Sequence, residues 1–532
     1  MKINLYNIKK GYRYLKHYGW KEFKIRLSEK REPDNVSYEE WLNRHRIDKS
    51  QIDKHLSTVN NVLKKNGLKF AVIVLASEYN EIDSLTKESI YNQSIKPNNV
   101  VMLNGADGKI GDLEEDYFIS ISNGTILESY ALVELLYAIL HKDKVMQSGV
   151  HWESGSFDSC LIYSDCDIQG EIPVFKPDFS PHLQMAYDYI SDIIVFNKAY
   201  YKCWVKNKCK IYLKNTEIKH LPHILGHIKK KDIRYNKVEP EFVGNPKVSI
   251  IIPNKDEIES LDMCLKSIAK SSYSNYEVIV VENNSKEKTT FQFYDSIKYV
   301  MADGNQMQVK IVEWKSDFGF NYSAINNYGI SFASGEYIVL LNNDVEIITN
   351  NWIERMLGFC QQDDVGIVGA KLYYPDDTIQ HAGIVVGVGG HARGIGANML
   401  TGLGRYDEKY FDKTNVVRDM SAVTAACLMI KKAVFDEVGG FEEYLTVAFN
   451  DVDLCLKVRK KGYLIVFNPN VEAYHYESKS RGQEDTEEKV RRFQTEIEYM
   501  RTEWNDILRY GDPYYNPGYS RVKNDYSLNG MS

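Results

Sequence analysis

FAVIVLASEYNEIDSL (70–85) and VSIIIPNKDEIESL (248–261) are two versions of one phrase: an apolar run, a short polar turn and the opening of an acidic helix. A short apolar run that leads into a helical pattern reads as a buried strand of a parallel α/β sheet. Working outward, the match continues. Ser89-Ile90 meets Ser267-Ile268, NNVVML (98–103) falls on YEVIVV (276–281), and DYFISISNGTI (116–126) falls on EYIVLLNNDVEI (336–347), with Tyr117 on Tyr337. Such self-similarity marks an internal repeat. The predicted fold class is therefore α/β: two related Rossmann-like, mostly parallel-sheet units in tandem, the first shorter between its second and third matched strands.

The flanks set the boundaries. Residues 1–65 read as an N-terminal helical, basic segment, 66–240 as the first unit and 245–510 as the second, with 511–532 as a C-terminal tail. The stretch KKKDIRYNKVEPEFVGNPK (229–247) is charged, carries Pro and Gly, and reads as the linker. The segment GDPYYNPGYSRVKNDYSLNG (511–530) is rich in turn formers and Tyr, and an extended tail is expected there.

A chain of 532 residues, 43% hydrophobic and 26% charged, has globular composition and more length than one core usually holds. Its net charge of -7 argues against general nucleic-acid binding. No apolar run reaches the roughly 18 residues of a membrane span, and the N-terminus lacks the apolar core of an export signal, so a cytosolic chain is predicted. Within residues 1–31, ten Lys/Arg stand against two Glu, with Leu5, Ile8, Tyr12 and Leu15 at helical spacing. Two readings stay open there: a helix lying on the anionic inner face of a membrane, giving peripheral contact, or a solvated helix packed on the next domain. The 8 cysteines contain no C-x-x-C pair, so neither a zinc site nor a disulfide framework is indicated, and reduced, mostly buried thiols are expected. No G-x-G-x-x-G follows the first strand of either unit, which disfavours a dinucleotide-dependent oxidoreductase.

Ligands of open parallel sheets bind beyond the carboxyl ends of the strands. Three polar clusters of the second unit stand there: Pro253-Asn254 after VSIII, Glu282-Asn283-Asn284 after YEVIVV, and Asn342-Asn343-Asp344 after EYIVLL. One such cluster would read as a turn or a helix cap; three in one unit point to a nucleotide pocket. Asp344 is placed to give an oxygen to a hard divalent cation bridging a diphosphate. The competing reading is a cap for the helix in TNNWIERML, a task that Thr349 or Asn350 would do better. Asp451 and Asp453 precede a helical run, where acidic groups favour the helix N-terminus, but capping requires only one of them and leaves the other as a candidate general base. His475 follows the apolar strand YLIVF and is a structural histidine or a metal ligand.

At these residues the sequence resembles the family 2 glycosyltransferases of the GT-A fold, in particular bacterial enzymes that extend O-antigen, capsule or other surface polysaccharides. The resemblance covers roughly 245–500 strongly and 70–228 more weakly. Its pieces, in the family's order, are SIIIPNKDE, VIVVENNS, DFGFNYSAINN, ASGEYIVLLNNDVEI, DDTIQHAG, SAVTAACLMIKK, VGGFEE, FNDVDLC and HYESKSRG. It implies that Pro253, Asn254 and Glu282 line the base and ribose pocket, with Asn283 and Asn343 beside it. It implies that Asp344 is the last acid of the family's D-x-D metal motif, whose first position is Asn342 here, and that His475 is a second ligand to Mn2+ or Mg2+. Asp451 would be the catalytic base, in an Asn450-Asp451 pair where the family more usually has Glu-Asp, and Asp453 could share the task. The implied activity is that of a metal-dependent inverting glycosyltransferase, moving a sugar from a UDP or dTDP donor to a glycan or lipid-linked glycan.

The first unit resembles the same fold in IYSDCDIQGEIPVFKPDFSPHLQMAYDYIS (162–191) and HLPHILGHIKK (220–230). There, however, Gly124 takes the place of Asp344, Ser122 that of Asn342 and Ser77-Glu78 that of Pro253-Asn254, with Asp165 and Asp167 as remaining candidate ligands. It reads as a degenerate transferase unit that supports the second or holds acceptor glycan. Two alternatives stand beside this reading: a bifunctional polymerase with two sites, and a catalytically silent sugar-nucleotide or glycan-binding scaffold.

Overall fold

The computed structural model describes Leu15, Trp20 and residues 36–530, apart from 77–80, 105–112, 142–160, 207–217, 231, 298, 303–304, 316–318, 390–393 and 477–485. The basic amphipathic stretch, Ser77-Glu78, Cys160, Cys209 and most of HYESKSRG lie outside the described residues. Of the other cysteines, Cys203 is exposed and the rest are buried and free, as the composition implied. Among the described residues, no helix is long and apolar enough to cross a membrane.

The repeat seen in three strands extends through a whole sheet. In the first unit the strands run Asn99–Asn104, Phe70–Ala76, Tyr117–Ser122, Ile193–Asn197, Leu161–Ile168, Ile218–Ile228 and Ile126–Leu127 across the sheet. In the second the order is Tyr276–Asn283, Val248–Asn254, Tyr337–Leu341, Cys427–Lys431, Val365–Tyr373, Leu464–His475 and Val345–Ile347, with Asn305–Trp314 and Tyr299–Ala302 added beyond Tyr276–Asn283. Both sheets have a parallel core, Ala71 beside Asn99 and Phe118 in one, Ile250 beside Val278 and Val339 in the other, and continue through mixed additions in which Leu161–Ile168 with Ile218–Ile228 and Val365–Tyr373 with Leu464–His475 are again parallel. These core strands are apolar on both faces because helices cover both sides.

Each unit has a cluster of its own, and a third interior is shared between them. One cluster runs from Phe118, Tyr163 and Phe196 through Leu183 and Tyr189 to Val248, Leu261 and Trp352. Polar ties cross the same seam: Ser180 Oγ donates to Asp419 (2.6 Å), and His182 Nδ1 lies 2.7 Å from that carboxylate, all three groups buried. The linker adds to it, because the Pro240 carbonyl lies against the helix Trp352–Cys360 where only a glycine fits; a Cβ on Gly358 would stand 2.0 Å from that oxygen.

The stretch beyond residue 510 corrects the expectation of an extended tail. Asp512, Tyr515, Asn516 and Ser520 are buried. Asn516 Nδ2 donates to Asp165 (2.7 Å) in the first unit, while Asp512 accepts from the Val386 N–H (2.7 Å) and Ser421 Oγ (2.6 Å) in the second. Its tyrosines explain the burial: Tyr519 meets Phe175 and Tyr526 edge-on and Tyr515 at a tilt, forming an aromatic knot over the seam.

Candidate active site

The site grows from three strand ends. Asn254 and Glu282 are cross-strand neighbours at the ends of Val248–Asn254 and Tyr276–Asn283, both nearly fully buried. Buried polar groups need partners, and here they form a chain. Asn343 Nδ2 donates to Asn254 Oδ1 (2.6 Å), Asn254 Nδ2 donates to Tyr294 Oη (2.8 Å), Tyr294 donates to Glu282 (2.5 Å), and Glu282 accepts from the Ser285 backbone N–H and hydroxyl. Burial, helped by the Glu282 carboxylate, pushes the Tyr294 phenol well above its ordinary value, so it stays a donor. Pro253 precedes Asn254 in the same strand, and Asn283, one residue after Glu282, faces the opposite side of the sheet by strand alternation.

The next loop, Asn342-Asn343-Asp344, meets the end of the long strand Leu464–His475. Pairing of Val345 with His475 brings them together: His475 Nε2 lies 3.2 Å from Asp344 Oδ1 and 3.2 Å from Asn342 Nδ2. Asp344 does not cap the following helix. Neither do Thr349 and Asn350, because the helix Trp352–Cys360 starts after Asn351 with no side-chain cap, and Thr349 Oγ1 instead bonds the Glu472 N–H (3.0 Å).

A pocket opens beside this loop, lined by Tyr322, Asn342, Thr424–Ala426, Val447–Asp451 and His475. Asp451 enters it from the first turn of the helix Asn450–Lys460, whose start is set by Phe449 in the left-handed region (φ 62°). The Asp451 carboxylate accepts from Val452 N–H (2.8 Å) and Ala425 N–H (3.3 Å), which fixes it against the opposite wall. That wall is held in turn by His381, kept neutral with its pKa pushed down to about 4 by burial; it accepts from Thr424 N–H and donates to Asn398 Oδ1. The Val447 side is held by Glu496, which accepts from the Val447 N–H (2.9 Å) and the Thr446 hydroxyl (3.0 Å).

Asp453 does not share the site, and here the expectation is corrected. At about 100° per residue, positions two apart on a helix face nearly opposite ways. Asp453 is fully buried, accepting from Trp504 Nε1 (2.9 Å) and paired with Lys457 (3.3 Å). Burial raises its pKa, and Lys457 offsets part of that cost. It anchors the C-terminal helix.

The arrangement suits a divalent cation. Asp344 Oδ1 and His475 Nε2 face each other at 3.2 Å. Adjacent ligand atoms around a six-coordinate ion of about 2.1 Å bond length stand about 3 Å apart. Among the described residues no cluster of three or more His, Cys, Asp or Glu forms, so the protein would contribute these two groups. Sequence reasoning passed over two residues here. Gln380 and Tyr322 both belong to the quoted motifs DDTIQHAG and DFGFNYSAINN, which was the available signal. Gln380 bonds His475, and Tyr322 donates to the Ala425 carbonyl (3.2 Å) across the pocket.

The second unit thus joins a polar chain at its central strand ends, a carboxylate–imidazole pair and, across the pocket, a second carboxylate. Residues 249–437, within the second unit, match the family model "Glycosyl transferase family 2". Over 319 residues (60% of the chain) the sequence is 43% identical to uncharacterized protein y4gI of Sinorhizobium fredii. Over 293 residues (54%) it is 33% identical to the O-antigen biosynthesis protein RfbC of Myxococcus xanthus. These matches span 33% and 21% of the relatives' own lengths. Among solved structures, the mannosyltransferase PcManGT from Pyrobaculum calidifontis in complex with GDP-Man and Mn2+ aligns over 46% of this chain and 61% of that one, at 17% identity and a TM-score of 0.33.

Proposed function

We propose that the second unit transfers a sugar from a nucleoside diphosphate donor, UDP- or dTDP-linked, to a growing bacterial surface glycan, with inversion at the anomeric carbon. The observation that supports this most directly is the meeting of His475 and Asn342 with Asp451 around one pocket, with Asp344 3.2 Å from His475 beside it. The acceptor is a glycan or lipid-linked glycan, in line with the O-antigen biosynthesis relative.

In this reading the Asn254, Glu282 and Asn343 chain receives the base and ribose, whose hydroxyls and N–H groups exchange for the internal partners these side chains now hold. Asp344 and His475 would hold Mn2+ or Mg2+, which when bound neutralises charge on the departing diphosphate. Asp451 takes the proton of the acceptor hydroxyl as its oxygen bonds to C1 of the donor sugar and the C1–O bond to the diphosphate breaks. A single displacement of this kind inverts the centre. The first unit acts as scaffold.

The test is donor hydrolysis by the full chain with Mn2+ across a panel of UDP- and dTDP-sugars. Release of one nucleoside diphosphate at the expense of its sugar nucleotide is the expected result. Binding without turnover of any donor, in the presence or absence of acceptor glycans, would return the protein to the class of binding scaffolds.

A further inference from the structure

We infer that Gln380 is the positioning residue that selects the ring tautomer of His475 and aims its Nε2 lone pair at the Asp344 loop. This rests on the reading of Asp344 and His475 as cation ligands and identifies what makes that pair competent.

The inference follows from which atoms face each other. Gln380 is buried in the strand Ile379–His381, and its side chain meets His475 twice. One terminal atom lies 2.6 Å from the ring Nδ1; the other lies 3.3 Å from the His475 backbone carbonyl oxygen. A carbonyl can only accept, so the atom facing it is the amide nitrogen. The atom facing Nδ1 is then the amide oxygen, which can only accept, so Nδ1 carries the proton. A ring that binds a cation is neutral, so with the proton on Nδ1 its Nε2 is the lone pair, and the Asn342 amide nitrogen lies 3.2 Å away as a donor to it. Asp344 Oδ1 lies 3.2 Å from the same nitrogen. A cation taken between these two atoms would replace the Asn342 N–H as the partner of that lone pair.

Gripping both the ring and the backbone carbonyl, one side chain fixes rotation about the His475 side-chain bonds and the register of the strand end. Partners of this kind that orient a ligating histidine typically change metal affinity 10–100-fold when lost. Gln380 touches neither donor nor acceptor in this scheme and acts only through His475.

Three variants of the full chain test this. Gln380→Leu fills the space and removes both hydrogen bonds, Gln380→Met does so with an unbranched chain, and Gln380→Glu keeps an acceptor for the Nδ1 proton. Mn2+ affinity, measured by calorimetry in the presence of UDP, is expected to fall about 10–100-fold in the Leu and Met variants and to stay within a few-fold in Gln380→Glu. In the metal-free protein, ring 15N shifts of labelled His475, assigned with His475→Asn, are expected to report the Nδ1–H form in wild type and a mixture of tautomers in Gln380→Leu. Wild-type Mn2+ affinity in a folded Gln380→Leu protein, or an Nε2–H ring in wild type, overturns the inference while leaving the metal site standing. A wild-type protein that binds no Mn2+ with UDP overturns the metal-site reading and this inference with it.

Discussion

Set side by side, the two units have one sheet order and opposite chemistry at the same place. In the second unit Asp344 ends the loop after the third matched strand, and His475 reaches it from the strand paired across Val345. In the first, Ile126 pairs with His227 and Leu127 with Gly226, a register that puts Ile228 where the second unit has His475 and Gly124 where it has Asp344. Lys229 follows, and its aliphatic chain lies over Gly124, so that a Cβ there would stand 2.8 Å from Lys229 Cδ. The ammonium pairs with Asp83 at 3.0 Å. Thus a tethered cation stands by a loop whose counterpart is proposed to take a metal ion. The remaining acids are also spoken for: Asp165 is bonded by His220 (2.8 Å) and Asn516 (2.7 Å), and Asp167 by Tyr38 (2.7 Å) and His227 (2.8 Å). The contrast teaches that a scaffold of this kind is separable from its chemistry by a handful of side chains at strand ends, and that carboxylates released from ligand duty become structural.

The sharpest break in the comparison would come at Asp451. Asp451→Asn keeps shape and most hydrogen bonds but removes the proton acceptor, so glycan transfer should fall about 10²–10⁴-fold while donor affinity stays near wild type. Asp453→Asn is the matched control, expected to lower thermal stability with turnover kept, because its partners are Trp504 and Lys457. Loss of transfer in the Asp453 variant alone would reverse the assignment.

Next in size, Asp344→Ala should make the second unit resemble the first. Mn2+-dependent UDP binding, followed by calorimetry, is expected to fall beyond detection with the melting temperature nearly unchanged, since the partly buried side chain sits in a loop outside the apolar core and leaves no core cavity. Retained metal-dependent affinity would detach Asp344 from the site.

A third test separates the units by pH. In the first, burial works against charge on His220, but Asp165 outweighs it and raises the pKa to about 9; the hydrogen bonds that His227 donates to Asp167 and Glu128 raise its pKa likewise to about 9. Both lie above the ordinary value of 6.5. The stabilisation is therefore complete below about pH 6.5 and is lost as pH rises through 9. Urea midpoints should decline over that window, and His220→Gln should flatten the decline. A midpoint rising with pH across the same range would contradict the pairing.

The smallest effect is expected at Lys229. Its ammonium is largely exposed, so Lys229→Ala should change stability by no more than about 1 kcal/mol and leave Mn2+ stoichiometry unchanged. A second bound ion in that variant would show that only the lysine keeps the first unit silent, and would revive the two-site reading.

Much of this was legible in the chain. The repeat was, because apolar strands buried on both faces leave continuous runs that survive divergence. The places of Asp344 and His475 beyond apolar runs were, because each follows such a run in the sequence. Gln380 was not, since its partner is 95 positions away and only the pairing of strands joins them. The error at Asp453 was avoidable: two residues along a helix is nearly a half-turn, and the sequence alone places the two acids on opposite sides. The tail was misread because turn formers and tyrosines describe local conformation equally well in a solvated strap and in one pressed into a seam between domains.

The seam has a consequence for the order of events during synthesis. The first unit is complete as a sheet by Ile228, yet Asp165 awaits Asn516 and Phe175 awaits Tyr519. At about 5–20 residues per second, the ribosome takes tens of seconds to deliver that stretch. The seam built by Ser180, His182 and Asp419 is thus made from residues that emerge earlier, and the strap adds the last ties when it leaves the exit tunnel.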